Sequence, residues 1–292
     1  MTGPSEKIIL VIGATGKQGN AVARQLAQRG FHVRALTRNP NATSAQGLRQ
    51  LGVEIVEGNL NNPSSLAPAL KNAYGLFAMQ DFWSAGYNGE IRQGKLLADA
   101  AKAARIKHFV YSSVASANKD TGIPHFDSKW QIEKYITSLQ LPATILRPVF
   151  FMDNWHMPEL RAMISQGTLA QPLSPDTRLQ QIAVQDIGVF AANAFEQPEQ
   201  WIERDLDLVG DELTMKETAD VFSRVLNRDV NYYQTPWPDF EQAVGREMTL
   251  MYQWFESVGY DADLHACQRE HPDLATLETF LRQHGWEQAA AA

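Results

Sequence analysis

The sequence predicts an α/β protein: a doubly wound parallel sheet, with a smaller α/β domain towards the C-terminus. Three observations point there. An apolar run at residues 8–12 stops at Gly13, Gly16 and Gly19, spaced three apart, and an Ala/Val/Leu-rich helical pattern follows at once. That order reads as buried strand, tight turn and helix N-terminus. Short β-rich runs then alternate with helical patterns through the first half of the chain, the rhythm of parallel strands joined by right-handed crossovers. After Phe151 the alternation stops and Trp155, Met157 and Met163 appear among many polar residues. This change divides the chain into residues 1–151, completed by about 181–214, and a smaller domain made of 152–180 and 215–292.

Composition excludes several classes. The 292 residues can bury one large core or a main domain with a smaller one. An apolar share of 44% and a charged share of 20% belong to an ordinary globular protein. A net charge of −7 gives no reason to expect a phosphate backbone as direct partner. The single cysteine, Cys267, cannot form an intrachain disulfide and has no metal-ligand spacing around it; no metal site is expected, and a reducing compartment fits. The chain has neither a run of about eighteen apolar residues nor an apolar stretch in MTGPSEK, so the expected protein is soluble, cytoplasmic and free of membrane.

In the first turn, Gly13 lets the backbone bend sharply, Gly16 keeps side-chain bulk away from a phosphate, and Gly19 lets the helix sit close on the strand. Backbone N–H groups at the positive end of the helix dipole suit a pyrophosphate, so a dinucleotide is the expected ligand. The first helix ends near Gly30, and a second strand at 31–37 closes on Arg38, Asn39 and Pro40. At this strand end an acidic residue would bond a free ribose 2′-hydroxyl, whereas an arginine accommodates a 2′-phosphate. Thr37-Arg38 therefore favours NADP(H) over NAD(H).

A helix at 42–51 and a strand at 53–56 lead to Asn59, which is placed to meet an adenine. A helix at 64–70 and a strand at 74–79 end in Gln80, Asp81 and Phe82, candidates to line the cofactor because strand ends of such a sheet share one crevice. The helix at 90–104 carries Ile91, Leu96, Leu97 and Ala101 at helical spacing, with Arg92 at the end nearer the crevice and in reach of a phosphate. A strand at 108–113, a helix at 127–139 and a strand at 143–151 complete the alternation. Beyond it, 181–194 reads as helix, 205–209 as strand, 214–226 as a helix capped by Thr214 or a neighbour, and 231 onward as aromatic-rich helices, with the tail at 287–292 expected to fray.

The blocks GATGKQG (13–19), VRALTRNP (33–40), IRQGKLLADAA (91–101), HFVYSS (108–113), PHFDSKWQIEKY (124–135) and RPVFFMDN (147–154) resemble the NmrA-like family of atypical short-chain dehydrogenases/reductases. Within it they are most similar to the HSCARG-type NADPH-sensor branch. The resemblance implies a Rossmann-type NADP(H)-binding domain with a smaller C-terminal domain. It also implies one of two activities: redox sensing through a protein partner, or reduction of a small planar substrate. A homodimer is left open. By resemblance, the residues Gly13, Ala14, Thr15, Gly16, Lys17 and Gln18 hold the pyrophosphate, with Gly19 closing the turn. Arg38 holds the 2′-phosphate with Asn39, Pro40, Asn41 and Ala42 around it, and Asn59 and Leu60 lie near the adenine. Gln80, Asp81, Phe82 and Arg92 follow along the cofactor. Lys129 contacts the nicotinamide ribose, and Phe151, Met152, Asp153 and Asn154 close over the nicotinamide.

One departure bears on activity. A working short-chain reductase carries Tyr-x-x-x-Lys, the lysine lowering the tyrosine's pKa for proton transfer. Here the tyrosine position holds His125, four residues before Lys129, and the family's serine falls near Ser113 or on Val114. A histidine can serve as general acid near neutral pH, so His125 and Lys129 are the catalytic candidates. The same His-x-x-x-Lys pattern in the sensor branch supports a site that binds without turnover. In the reductase alternative, Phe82, Trp83, Phe150, Phe151 and Trp155 form an apolar pocket for an electron-poor ring such as a quinone.

Overall fold

The computed structural model describes residues 3–287, so the tail expected to fray lies outside it from position 288 onward. Strand β1 (Ile8–Val11) is followed by α1 (Lys17–Gln28), β2 (His32–Thr37), α2 (Thr43–Arg49), β3 (Glu54–Glu57), α3 (Leu66–Leu70), β4 (Gly75–Ala78), α4 (Phe82–Ala103), β5 (His108–Ser112), α5 (Pro124–Ser138) and β6 (Ala143–Pro148). Then come β7 (Phe150–Phe151), α6 (Pro158–Ser165), β8 (Thr168–Gln171), β9 (Arg178–Ile182), α7 (Val184–Glu196), α8 (Pro198–Trp201), β10 (Asp205–Leu208), β11 (Asp211–Thr214), α9 (Met215–Leu226) and β12 (Asn231–Gln234). Four helices end the chain: α10 (Trp237–Val244), α11 (Arg246–Ser257), α12 (Leu264–Glu270) and α13 (Leu277–Gln283). Two compact units result. One runs through Arg147 and takes in Ile187–Asp207; the other comprises Pro148–Asp186 and the chain from Leu208 onward.

The first unit is built on a seven-stranded sheet in the order β10-β6-β5-β4-β1-β2-β3. Strand β1 pairs in parallel with both β2 and β4, so the order reverses beside it, and a crevice opens there at the carboxyl ends of the strands. Leu10, Leu76, Phe109 and Tyr111 of the sheet meet Leu97, Ala98 and Ala101 of α4 and Ile132 and Ile136 of α5 in one buried cluster. Each large aliphatic side chain there contributes roughly 1.5–3 kcal/mol by leaving water. The fold is the doubly wound α/β class that the glycine turn and the strand-helix rhythm predict. Gly13 has φ +69°, a left-handed backbone that a side chain would strain, and a Cβ on Gly19 would lie 2.3 Å from the Gly13 carbonyl. The turn and the close seat of α1 therefore both require glycine.

The second unit holds a three-stranded sheet ordered β11-β9-β7 and a parallel pair, β12 with β8. Its strands correct three expectations. Residues 181 and 182, read as helix, belong to β9, and α7 begins only at Val184. Strand β9 escapes apolar alternation because its glutamines are buried and bonded: Gln181 accepts from the Trp155 indole at 2.7 Å, while Gln180 donates to Glu212 and to the Ala262 carbonyl. Residues 152–180, which showed no strand pattern, hold β8 and part of β9, and the helical reading from 231 begins with β12 instead. Thr214 caps α9 as expected, in a reciprocal capping box with Glu217. Among the described residues no helix is long and apolar enough to cross a membrane.

Candidate functional site

A cavity of about 290 Å³ opens in the first unit at the carboxyl ends of β1 to β4, at the lower end of small-molecule sites. Of the residues singled out from the sequence, Gly13, Thr15, Arg38, Asn39, Ala42, Asn59, Leu60 and Asp81 line it. Four strand ends thus converge on one space, each through the turn that follows the strand. The exposed Arg38 stands at the lip next to Thr37, whose hydroxyl accepts the Asn39 N–H at 3.2 Å and shapes the turn. The Asn39 carboxamide oxygen accepts the Asn41 N–H, and Arg49 donates to the Pro40 carbonyl at 2.8 Å. This loop is therefore held by its own bonds while the Arg38 guanidinium stays at the surface.

The β1–α1 turn fits a phosphate group. A Cβ on Gly16 would meet nothing nearer than the Gly13 oxygen at 3.4 Å, so the ground before α1 is open, and no side chain caps the helix at Gly16. Ala14, Lys17 and Gly19 belong to this turn and helix without lining the cavity. Gln18 is turned inward: it is buried, and its carboxamide donates to the Ser112 hydroxyl at 2.6 Å, tying α1 to β5.

Three residues expected along the cofactor do something else. Gln80 is buried, does not line the cavity, and neither polar atom of its side chain has a hydrogen-bond partner. Asp81 lines the cavity, but its carboxylate caps α4, accepting the Trp83 N–H at 3.1 Å and the Ser84 hydroxyl. Arg92 does not line it; its guanidinium donates to the Asn61 carboxamide at 3.3 Å, as does Gln93 at 3.1 Å. Helix α4 itself starts at Phe82, earlier than the expected 90, with a break in helical geometry at Gly86.

At the far side of Asp81 stand His125 and Lys129, one turn apart on α5 and so on one side of it. The His125 ring lies 5.5 Å from Phe82, 5.4 Å from Trp83 and 4.9 Å from Phe126, a cluster whose outer member, Trp83, is 61% exposed. Lys129 Nζ lies 2.5 Å from an oxygen of Glu90, which is fully buried on α4 and also accepts the Ser128 hydroxyl. Close helix approach makes this possible: a Cβ on Gly94, one turn beyond Glu90, would sit 2.6 Å from Ile132 of α5. Ser113 follows β5 directly, and its buried hydroxyl has no hydrogen-bond partner. Nearby Tyr111 is pushed well above the usual phenol range by burial and then by the charges of Glu90 and Glu133.

Sequence reasoning missed Glu90, Asn61, Gln93, Ser84 and Met79, of which all but Glu90 line the cavity. A trace of Glu90 was there to find: it shares the helical spacing of buried Gly94, Leu97 and Ala101. Phe151, Met152, Asp153 and Asn154, expected over the nicotinamide, lie in or near the second unit's β7. There Met152 is buried and the Asp153 carboxylate accepts the Val184 N–H at 3.0 Å. The planar-substrate pocket expected from Phe82, Trp83, Phe150, Phe151 and Trp155 is also corrected. Trp155 has no exposed surface and packs on Phe150 and Phe222, and Phe150 is only 6% exposed.

Comparison with known proteins follows the same lines. A sequence model described as the NmrA-like family matches residues 5–281. The chain is 31% identical over 244 residues to the nitrogen metabolite repression protein nmrA of Emericella nidulans, covering 79% of this chain and 69% of that one. It is 34% identical over 160 residues to the NmrA-like family domain-containing oxidoreductase FrzB of Cladobotryum sp., covering 51% of this chain and 48% of the relative. At 25% identity it is similar, over 96% of this chain and 95% of the other and with a TM-score of 0.78, to the crystal structure of NmrA, a negative transcriptional regulator, in complex with NADP. NmrA in complex with NAD is similar with a TM-score of 0.80 at 25% identity, covering 99% and 98% of the two chains.

Proposed function

Because the chain belongs to the NmrA-like family, we propose that it binds NADP(H) in the cavity at β1 to β4 and acts as a redox-responsive regulator rather than a committed reductase. The observation that carries the coenzyme assignment is the arginine at the lip, Arg38, at the end of a strand with no acidic residue beside it. The open glycine turn takes the pyrophosphate, and Asn59 and Leu60 lie at the adenine. NmrA's own complexes with NADP and with NAD support a dinucleotide at this place. Bound there, the coenzyme supplies a hydride donor or acceptor; everything else is work for the chain's own residues. Arg38 selects the phosphorylated form, α1 offers its N-terminal amides, and Lys129 reaches the nicotinamide ribose.

The regulatory part rests on His125. The family's proton-donating phenol is replaced by an imidazole packed against Phe82, Trp83 and Phe126, the His-x-x-x-Lys arrangement of the HSCARG-type sensor branch. A sensor works only if oxidised and reduced coenzyme differ in affinity or in the conformation they favour. Calorimetric titration of NADP⁺ and NADPH, paired with amide hydrogen exchange, tests this. Unequal affinity or unequal protection is expected, and equality in both measurements refutes regulation by redox state. A reductase reading draws support from the exposed Trp83 and the oxidoreductase relative. It requires NADPH oxidation with at least one member of a quinone panel, and His125→Ala must alter that turnover.

A further inference from the structure

Helix α4 buries Glu90, Gly94, Leu97 and Ala101 along one stripe, so a lone carboxylate sits where small and apolar residues otherwise pack. A buried carboxylate is costly unless paired and hydrogen-bonded. Two groups of α5 meet it: the Lys129 ammonium at 2.5 Å on one oxygen and the Ser128 hydroxyl on the other. The lysine side chain keeps 16% of its surface exposed and the glutamate keeps none. Lys129 can therefore meet a ligand, and Glu90 can act only through it. One turn before Lys129, His125 touches Phe82, the neighbour of cavity-lining Asp81, which places this face of α5 at the Asp81 end of the site.

We infer that Glu90 is a positioning residue that holds Lys129 at the nicotinamide end and, by cancelling the lysine's charge, sets how the site weighs oxidised against reduced coenzyme. This rests on the reading of the cavity as an NADP(H) site. The oxidised nicotinamide ring carries a positive charge that the reduced ring lacks. A bare ammonium nearby repels the first and spares the second, whereas an ion pair of no net charge discriminates far less. Away from bulk water, where the effective dielectric constant is about 20, removing that cancellation is worth several-fold in relative affinity.

The test is calorimetry on Glu90→Gln, which keeps hydrogen-bonding oxygen and removes charge, with NADP⁺, NADPH and 2′,5′-ADP as probes. The last probe lacks the nicotinamide half. The ratio of NADP⁺ to NADPH dissociation constants is expected to rise at least about fivefold, while 2′,5′-ADP affinity stays unchanged. In Glu90→Gln/Lys129→Met, which removes both charges together, the ratio returns to that of the wild type. If Glu90→Gln does not fold, Lys129→Gln probes the pair with the opposite sign, and the ratio falls. Equal weakening of both coenzymes, a parallel loss of 2′,5′-ADP, or a raised ratio that persists in the double variant overturns the proposal. Wild-type protein that binds none of the three probes would instead remove the coenzyme assignment beneath it.

Discussion

Helix α5 carries two buried ion pairs one turn apart, and they are built differently. Glu133 receives a two-pronged guanidinium from Arg147 of β6, with nitrogen-oxygen distances of 2.7 to 3.2 Å, and Arg147 also reaches Asp205 at 2.5 Å on β10. Several bonds in fork geometry fix that arginine; burial disfavours its charge, but Glu133 and then Asp205 outweigh burial and hold the guanidinium more firmly protonated than usual. Lys129 has a single ionic contact with Glu90 and keeps part of its surface free. The first pair ties a helix to two strands; the second holds a point charge by one bond at a partly exposed position. Over-connection marks structure, and a sparely connected buried charge marks a group kept for something else.

The sharpest way to break this contrast is at the closed pair. Arg147→Met leaves Glu133, 2% exposed, as an unpaired buried carboxylate, so unfolding free energy by urea denaturation should fall by about 3–5 kcal/mol. Arg147→Met/Glu133→Leu should recover most of that, because burying neither charge avoids both desolvation costs. A single-variant loss below about 1 kcal/mol would mean that the fork contributes little and that connectivity does not separate the pairs.

A weaker effect is expected where a site cation has no structural bond to lose. Arg38→Ala should leave the melting temperature unchanged and weaken NADPH by roughly 10- to 100-fold, while NADH changes by less than about threefold, since only NADPH carries the 2′-phosphate. Equal losses for the two coenzymes would assign Arg38 to the shape of the loop rather than to selection.

What the sequence made legible follows from the range of the physics involved. Gly13, Arg38 and the strand ends at Asn59 and Asp81 sit where local chain geometry aims them, and these residues line the cavity. Features that depend on a partner far along the chain were hidden. Glu90 looks like a helical surface residue until Lys129, 39 positions later, is brought to it. Gln180 and Gln181 look like surface residues until the fold buries them against partners in the second unit, Glu212 for Gln180 and the Trp155 indole for Gln181. Trp155 looked like ligand-stacking surface for the opposite reason: a large aromatic side chain fits either a pocket or a core, and only its packing on Phe222 decides.

A third buried group completes the comparison with no ion pair at all. His108, at the start of β5, has no exposed surface, and its Nε2 lies 2.8 Å from the Thr144 hydroxyl. That hydroxyl donates to the Trp201 carbonyl, so its oxygen accepts from a protonated Nε2, and Nδ1 is left without a partner. Burial, and then the charge of Lys7, push the imidazole down to about 3, so it stays neutral in the folded chain. In the unfolded chain it takes up a proton below about 6.5. Between those values the unfolded state binds more protons, so the contribution to stability is complete above pH 6.5 and declines as the pH falls towards 3. From pH 7 to pH 6 the loss amounts to about 0.7 kcal/mol. His108→Gln, which keeps a donor for Thr144, should remove that increment from the pH dependence of urea unfolding. An unchanged slope would mean that the native state accommodates the imidazolium. An unpaired buried ionisable group would then be no more costly on this sheet than the paired ones on α5.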